Sequence, residues 1–177
     1  MQYVLLSISG KDRAGIVCDV AEALLNIRAN IEDSSMTALR GRFTMMLIVN
    51  LAESCPLSEL KAALAALEQR TGLSVQSQLL PEDDVKHMPQ EPDCVITVTG
   101  ADKPGIVHAV THVLGEAGIS IVDVSTQSRG TEQGYMYMMA LEVVAKDDVA
   151  ALGQKFTDIS NQLGIEIQVH ELESGIL

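Results

Sequence analysis

The chain has 177 residues, of which 47% are hydrophobic and 20% charged, and this balance predicts a globular protein with a sizeable core. A formal net charge of −12 argues against direct nucleic-acid binding, because so acidic a surface repels phosphate backbones. No stretch approaches the roughly 18 consecutive apolar residues of a membrane span, and the first residues lack the basic segment of a signal peptide. The cysteines are far apart and form no C-x-x-C pair, so we expect each to be a small buried side chain in a cytoplasmic protein.

A β-α-β-β-α-β order of elements is predicted for the first half of the chain. The apolar run YVLLSIS ends at Gly10 and predicts a buried strand, after which AGIVCDVAEALLNI places apolar residues at helical spacing. A second strand from Ile31, a turn at ALRGRF and the strand FTMMLIVNL follow. Ser58 can cap the helix SELKAALAALEQRT, and LSVQSQLL alternates as a last strand with one exposed face.

The second half of the chain repeats the first at an offset of about 90 residues. SGKDRAGIV becomes TGADKPGIV, and matching positions continue to Asp33 and Asp123. The glycine-rich stretch RGTEQG then lengthens the second copy in a turn, where insertions are tolerated. We therefore predict a first domain at residues 1–80, an exposed and partly extended linker at 81–92, a second domain at 93–172 and a tail at 173–177.

This order of elements predicts an α+β fold built from two ferredoxin-like βαββαβ domains in tandem. Each domain is expected to be an antiparallel sheet with helices on one face. So small a sheet leaves its other face and its edges uncovered, and two copies can cover one another. The same surfaces favour symmetric pairing between chains, so we expect a homodimer.

The repeated turn lies between a strand and a helix, and its residue types suit ligand binding. A helix start presents unpaired backbone N–H groups and a partial positive charge, which together can hold a carboxylate or a phosphate. Gly15 and Gly105 would let the backbone approach such a ligand closely. Asp12 and Asp102 have an alternative role as helix caps, and Pro104 suits the first helical position.

The pattern of a strand, D-[RK]-[AP]-G-[IV], a helix and then [NS]-I-x-D resembles the ACT domain, over nearly the whole chain outside the linker and tail. The resemblance implies that a small ligand, usually an amino acid, binds where the first loop of one domain faces a neighbouring domain. A bare acidic tandem of such domains resembles the glycine cleavage system transcriptional repressor family. That resemblance implies glycine as the ligand and a transcription activator as the protein partner.

The resemblance also implies which residues contact the ligand. In the first copy these are the first loop and the opening of the second strand: Lys11, Asp12, Arg13, Ala14, Gly15, Ile16, Asn30 and Ile31. The second loop and the corresponding strand comprise Ala101, Asp102, Lys103, Pro104, Gly105, Ile106, Ser120 and Ile121. An Asn amide can accept from an ammonium group and donate to a carboxylate. We expect the stronger site in the first copy, which pairs its loop with Asn30, although Asn30 could also be only a turn residue.

Other residue clusters give weaker signals. His108, His112 and Glu116 fall on one predicted helix, where two His at i and i+4 can share a metal ion. Their spread over two turns favours a polar helix face instead. The methionines of the predicted third strands are expected to pack in the sheet core and at interfaces, with a Met-rich binding patch as the alternative. No catalytic or nucleotide-binding motif is present, so we predict no enzyme activity, no cofactor and no metal.

Three functions remain open at this point. The favoured one is a non-enzymatic regulatory sensor, in which binding of an amino acid changes the affinity for a protein partner. The second is a regulatory subunit of a separate enzyme of amino-acid or folate metabolism. The third is an interaction module that binds no ligand.

Overall fold

The computed structural model describes residues 2–86, 90–131, 134–145 and 149–172. The chain forms two compact units, Met1–Met88 and Pro89–Leu177. The predicted tail at 173–177 and the middle of the RGTEQG turn lie outside the described residues.

The two units contain the same series of strands and helices. The first unit comprises β1 (Gln2–Lys11), α1 (Ile16–Asn26), β2 (Asn30–Leu39), β3 (Arg42–Leu51), α2 (Leu57–Thr71), β4 (Ser74–Leu80) and the short α3 (Glu82–Val85). The second comprises β5 (Cys94–Ala101), α4 (Ile106–Glu116), β6 (Ser120–Thr131), β7 (Gly134–Val144), α5 (Val149–Leu163) and β8 (Ile165–Glu171). The strands form two antiparallel sheets, ordered β2-β3-β1-β4 and β6-β7-β5-β8. The α+β class and the duplicated βαββαβ order are therefore as predicted.

In each unit the helices cover one face of the sheet, because alternate residues of the central strands share a core with them. Val4, Leu6 and Ile8 of β1 are buried together with the apolar side chains of α1 and α2. In the second unit the corresponding residues of β5 join α4 and α5 in the same way, and Phe156 of α5 is buried in this cluster. Period-2 alternation in the strands and i, i+4 spacing in the helices thus produce the two cores.

Two cysteines belong to these cores, as expected. Cys55 and Cys94 are buried, and burial raises the pKa of both thiols, that of Cys94 to about 11. Both thiols therefore stay protonated at neutral pH and pack as small apolar groups. Cys18 differs from the prediction because it is exposed on α1.

The outer strands β2 and β6 are the most exposed parts of the sheets. All ten residues of β2 are exposed, since the helices cover mainly the central strands. Both strands have an irregular register at the same place, between Ile31 and Asp33 and between Ile121 and Asp123. Such a bulge inserts an extra residue and changes the direction of the side chains. The first residues of β2 and β6 can therefore bind a ligand without disturbing the core.

The predicted cap of α2 is wrong. Ser58 does not cap α2, since the helix begins at Leu57 after Pro56 and has no side-chain cap. Pro56 holds its backbone in the extended conformation that precedes a helix, so α2 begins two residues earlier than a Ser58 cap would place it. Residues 82–85 of the predicted linker form the short helix α3, none of whose residues is buried.

Two equivalent glycines near the ends of β1 and β5 give a direct test of the packing. A methyl group at Gly100 would meet the Ile165 backbone Cα at 3.1 Å and its Cγ2 at 2.8 Å. At Gly10 the tight contact, 2.6 Å, is only with the mobile end of the Leu73 side chain. We expect Gly100→Ala to lower the free energy of unfolding by about 1–3 kcal/mol, and Gly10→Ala to cost less because Leu73 can rotate away. Urea unfolding followed by circular dichroism measures both, and an equal or larger loss in Gly10→Ala would contradict this packing.

Candidate functional site

The first and second loops have the same backbone geometry. Each enters its helix through a glycine in the left-handed conformation, Gly15 with φ 87° and Gly105 with φ 96°. An L-residue adopts this conformation only with strain, which explains why glycine stands at both positions. Ile16 and Ile106 follow and are buried in the cores, so only their backbone N–H groups can contact a ligand. The four preceding residues and the glycine are exposed in each loop.

Neither loop has a side-chain cap, and the proposed capping roles are therefore wrong. The N-cap residues are the two glycines, and neither Asp12 nor Asp102 bonds to the helix start. Their backbone N–H groups instead donate to Gly41 O at 2.9 Å and Tyr135 O at 3.2 Å, which ties each loop to the hairpin of its own sheet. Pro104 precedes the N-cap and is not the first helical residue. The first N–H groups of α1 and α4 thus remain without a side-chain acceptor from the loop.

In the first loop, the arginine is bound to its own domain. Arg13 Nη2 donates to Asp19 Oδ2 at 2.5 Å, and its Nη1 donates to Ala14 O at 3.1 Å. Asp19 also faces Arg70 of α2, whose Nη2 lies 3.8 Å from Asp19 Oδ1 and whose Nη1 donates to Glu22 at 2.9 Å. These ion pairs are solvent-exposed and contribute little stability, but they order the loop against α1 and α2.

The second loop is held by different contacts. Lys103 Nζ donates to Leu163 O, at the C-terminal end of α5, at 2.9 Å. Asp102 Oδ2 accepts from Ser128 Oγ at 2.8 Å, and the corresponding residue on β2 is Ala38, which offers no hydroxyl. Burial, together with the Asp102 carboxylate, raises the pKa of Tyr137. The second loop is therefore tied down at its carboxylate as well, whereas the Asp12 carboxylate has no bond within the described residues.

Asn30 does not lie beside the loop of its own domain. Asn30 pairs with Asn50 at one end of the sheet, whereas Lys11 pairs with Arg42 at the other end. The stretch of β3 between these pairs spans about 26 Å at roughly 3.3 Å per residue. The expected pairing of the first loop with Asn30 is therefore wrong within one domain. Ser120 is likewise remote from the second loop, because it pairs with the last residue of β7.

Asn30 belongs to a polar cluster that sequence reasoning missed. Glu32 Oε1 accepts from Asn30 Nδ2 at 3.1 Å and from Asn50 Nδ2 at 3.2 Å. Glu32 and Asn30 are exposed and Asn50 is partly exposed. Asn50 comes next to Asn30 only through strand pairing, so local sequence does not reveal the cluster. A detectable signal would have been the change from Glu32 to Val122 between the two copies.

The histidines of α4 form an exposed pair. The rings of His108 and His112 stack with centroids 5.6 Å apart and an interplanar angle of 10°, and His112 Nε2 lies 3.6 Å from Glu116 Oε1. Across the described ranges, no three His, Cys, Asp or Glu side chains are grouped closely enough to hold a metal ion. The described helices also include none that is long and apolar enough to cross a membrane.

Comparison with known proteins gives matches for both halves. A sequence model of the ACT domain matches residues 2–78 and 93–170. A UPF0237 protein of Methanococcus maripaludis is 34% identical over 79 residues, which cover 44% of this chain and 88% of the relative.

Two solved structures match over almost the full length. An unknown protein from Galdieria sulphuraria has a TM-score of 0.77 at 28% identity, covering 97% of this chain and 98% of its own. A candidate glycine cleavage system transcriptional repressor has a TM-score of 0.71 at 18% identity, covering 97% of each chain. At that identity, the second likeness shows a shared fold alone.

The bond between Ser128 and Asp102 can be tested by removing the hydroxyl. We expect Ser128→Ala to lower the free energy of unfolding by about 1 kcal/mol, because the carboxylate loses a charge-assisted donor and regains only water. Ser125→Ala on the same strand is the matched control, since Ser125 is exposed and has no side-chain bond within the described residues. Urea unfolding at neutral pH measures the difference, and equal losses in the two variants would show that the bond adds nothing.

Proposed function

Because the chain belongs to the ACT-domain family and carries one such domain in each half, we propose that it is a regulatory protein that binds a small amino acid. The predicted tandem of ACT domains is confirmed by the sequence match and by the two βαββαβ sheets. The proposal includes no catalytic role for the chain itself. It depends above all on one observation: the exposed, uncapped helix starts behind Gly15 and Gly105.

The chemistry of these helix starts suits the carboxylate of an amino acid. Unpaired N–H groups and the partial positive charge of the helix end favour an anion there. Arg13 and Lys103 are engaged by their own domains, so the carboxylate would be bound by backbone N–H groups. The two basic side chains would then act by ordering the loops.

Asn30 suits the other end of the same ligand. Its amide can bond both ammonium and carboxylate groups, but it lies about 26 Å along the sheet from the loop of its own domain. A ligand that contacts both kinds of group must therefore be shared by two copies of the domain. We propose that the chain forms a homodimer and that a second chain supplies the missing half.

The binding event would control a protein partner. A ligand that binds one arrangement of the domains more tightly than another favours that arrangement. This changes the affinity for the partner through a coupling free energy of about 1–3 kcal/mol. Resemblance to the repressor family supports glycine as the ligand and a transcription activator as the partner. The net charge of −12 also favours contact with a protein over contact with DNA. We expect the protein to act in the cytoplasm.

Calorimetric titration with glycine and a panel of other amino acids tests the ligand. We expect binding to the unmodified chain, and Asn30→Ala should weaken it by about tenfold because an amide contact is lost. Ser120→Ala is the matched control at the equivalent position of β6 and should leave the affinity within about threefold. If no amino acid binds at millimolar concentration, the proposed function is wrong.

Affinity capture from a lysate of the source organism tests the partner. With the chain immobilised, we expect a DNA-binding transcription activator to be retained, and its yield to change several-fold when the ligand found by calorimetry is added. Asn30→Ala serves as the control, because its yield should no longer respond to the ligand. Retention of a metabolic enzyme in place of an activator would contradict the proposed partner.

A further inference from the structure

We propose that Glu32 recognises the ammonium group of the ligand and that Asn30 and Asn50 position the carboxylate of Glu32. This inference rests on the proposed function, since it identifies the ligand group that the start of β2 recognises in the same site. It concerns an α-amino acid with a free ammonium group, which should bind more tightly than a hydroxy acid of the same shape.

Glu32 accepts hydrogen bonds from two neutral amides and has no positively charged partner within the described residues. Its Oε1 accepts from the amides of Asn30 and Asn50, at 3.1 and 3.2 Å, which fixes the carboxylate and leaves Oε2 uninvolved in these bonds. An ionised carboxylate can only accept hydrogen bonds. In the described part of the chain, Glu32 forms no ion pair. The group that complements it is a positively charged donor.

The backbone places this cluster where a ligand can reach it. The bulge between Ile31 and Asp33 makes Glu32 the extra residue of β2. Asn30 and Asn50 are directly opposite each other on neighbouring strands, so their side chains share one face of the sheet. Glu32 is exposed and its bonds are to exposed or partly exposed amides, so the core does not require this arrangement.

The second copy shows that the fold can do without these polar groups. It keeps the bulge, between Ile121 and Asp123, but has Ser120, Val122 and Val144 at the three positions. Val122 is 45% exposed, so its apolar side chain is not there to fill the core. The carboxylate and the two amides therefore do not maintain the bulge. We infer that only the start of β2 recognises an ammonium group, and that the start of β6 does not bind one.

The orientation of the two amides follows from the same bonds. Because Nδ2 of Asn30 donates to Glu32, its Oδ1 remains an acceptor, as does Glu32 Oε2. An ammonium group carries only donors and would satisfy both acceptors. A hydroxyl group in its place has one proton and no charge, so it satisfies only one of the two acceptors and forms no ion pair with Glu32.

Calorimetric titration with matched pairs of acids tests the inference. Glycine is compared with glycolate, and alanine with lactate, on the full chain. We expect the amino acid of each pair to bind about tenfold more tightly or better, because the ammonium group has more donors and forms an ion pair with Glu32 that a hydroxyl group cannot form. Glu32→Gln keeps the shape and removes the charge, so it should weaken the amino acid about tenfold and the hydroxy acid by less than about twofold.

Glu166→Gln is the control, because it removes the same charge from an exposed residue of β8. It should keep the wild-type preference, and thermal unfolding should confirm that both variants are folded. If Glu32→Gln binds the amino acids as wild type does, or weakens both members of a pair equally, the inference is wrong while the proposed function stands. If the wild-type chain binds no amino acid, the proposed function fails and the inference fails with it.

Discussion

The packing of two helices against one face of a four-stranded sheet is the constraint on which each half of this protein depends. It fixes which residues of the central strands are buried, and with them the strand register, because a slip of one residue would turn every apolar side chain outward. It also fixes which connection lies at which end of the sheet. The loop that enters the first helix lies at one end of the sheet, and the strand that follows this helix begins at the other end.

This constraint leaves the outer strand and the loops free to differ between the copies. Both copies keep the left-handed glycine before the first helix and the bulge in the outer strand. The polar contacts around these features are not shared. Arg13 is bound through Asp19, whereas Lys103 is bound to a helix C-terminus. The amide and carboxylate cluster around Glu32 exists only in the first copy. A duplicated frame with two different polar surfaces suits a protein whose halves have separate tasks.

The energies involved are consistent with regulation. The ion pairs of the candidate site and the hydrogen bonds donated by its Asn side chains are exposed, so each contributes little to the stability of the fold. Bonds to a ligand can therefore form and break beside them without unfolding the domain. A coupling of about 1–3 kcal/mol is within the range that a few such bonds can supply.

The sequence by itself determined the duplication, the order of the elements and most residues of the two cores, with Cys18 as an exception. These depend on periodicity and on repeated local patterns, which neighbours in the chain express directly. Only the tertiary structure decided where the polar groups lie. The capping roles of Ser58 and Asp12 were excluded by helix starts that begin after other residues. The separation of Asn30 from its own loop, and the meeting of Glu32 with Asn50, arise from pairing between strands, which local patterns do not encode.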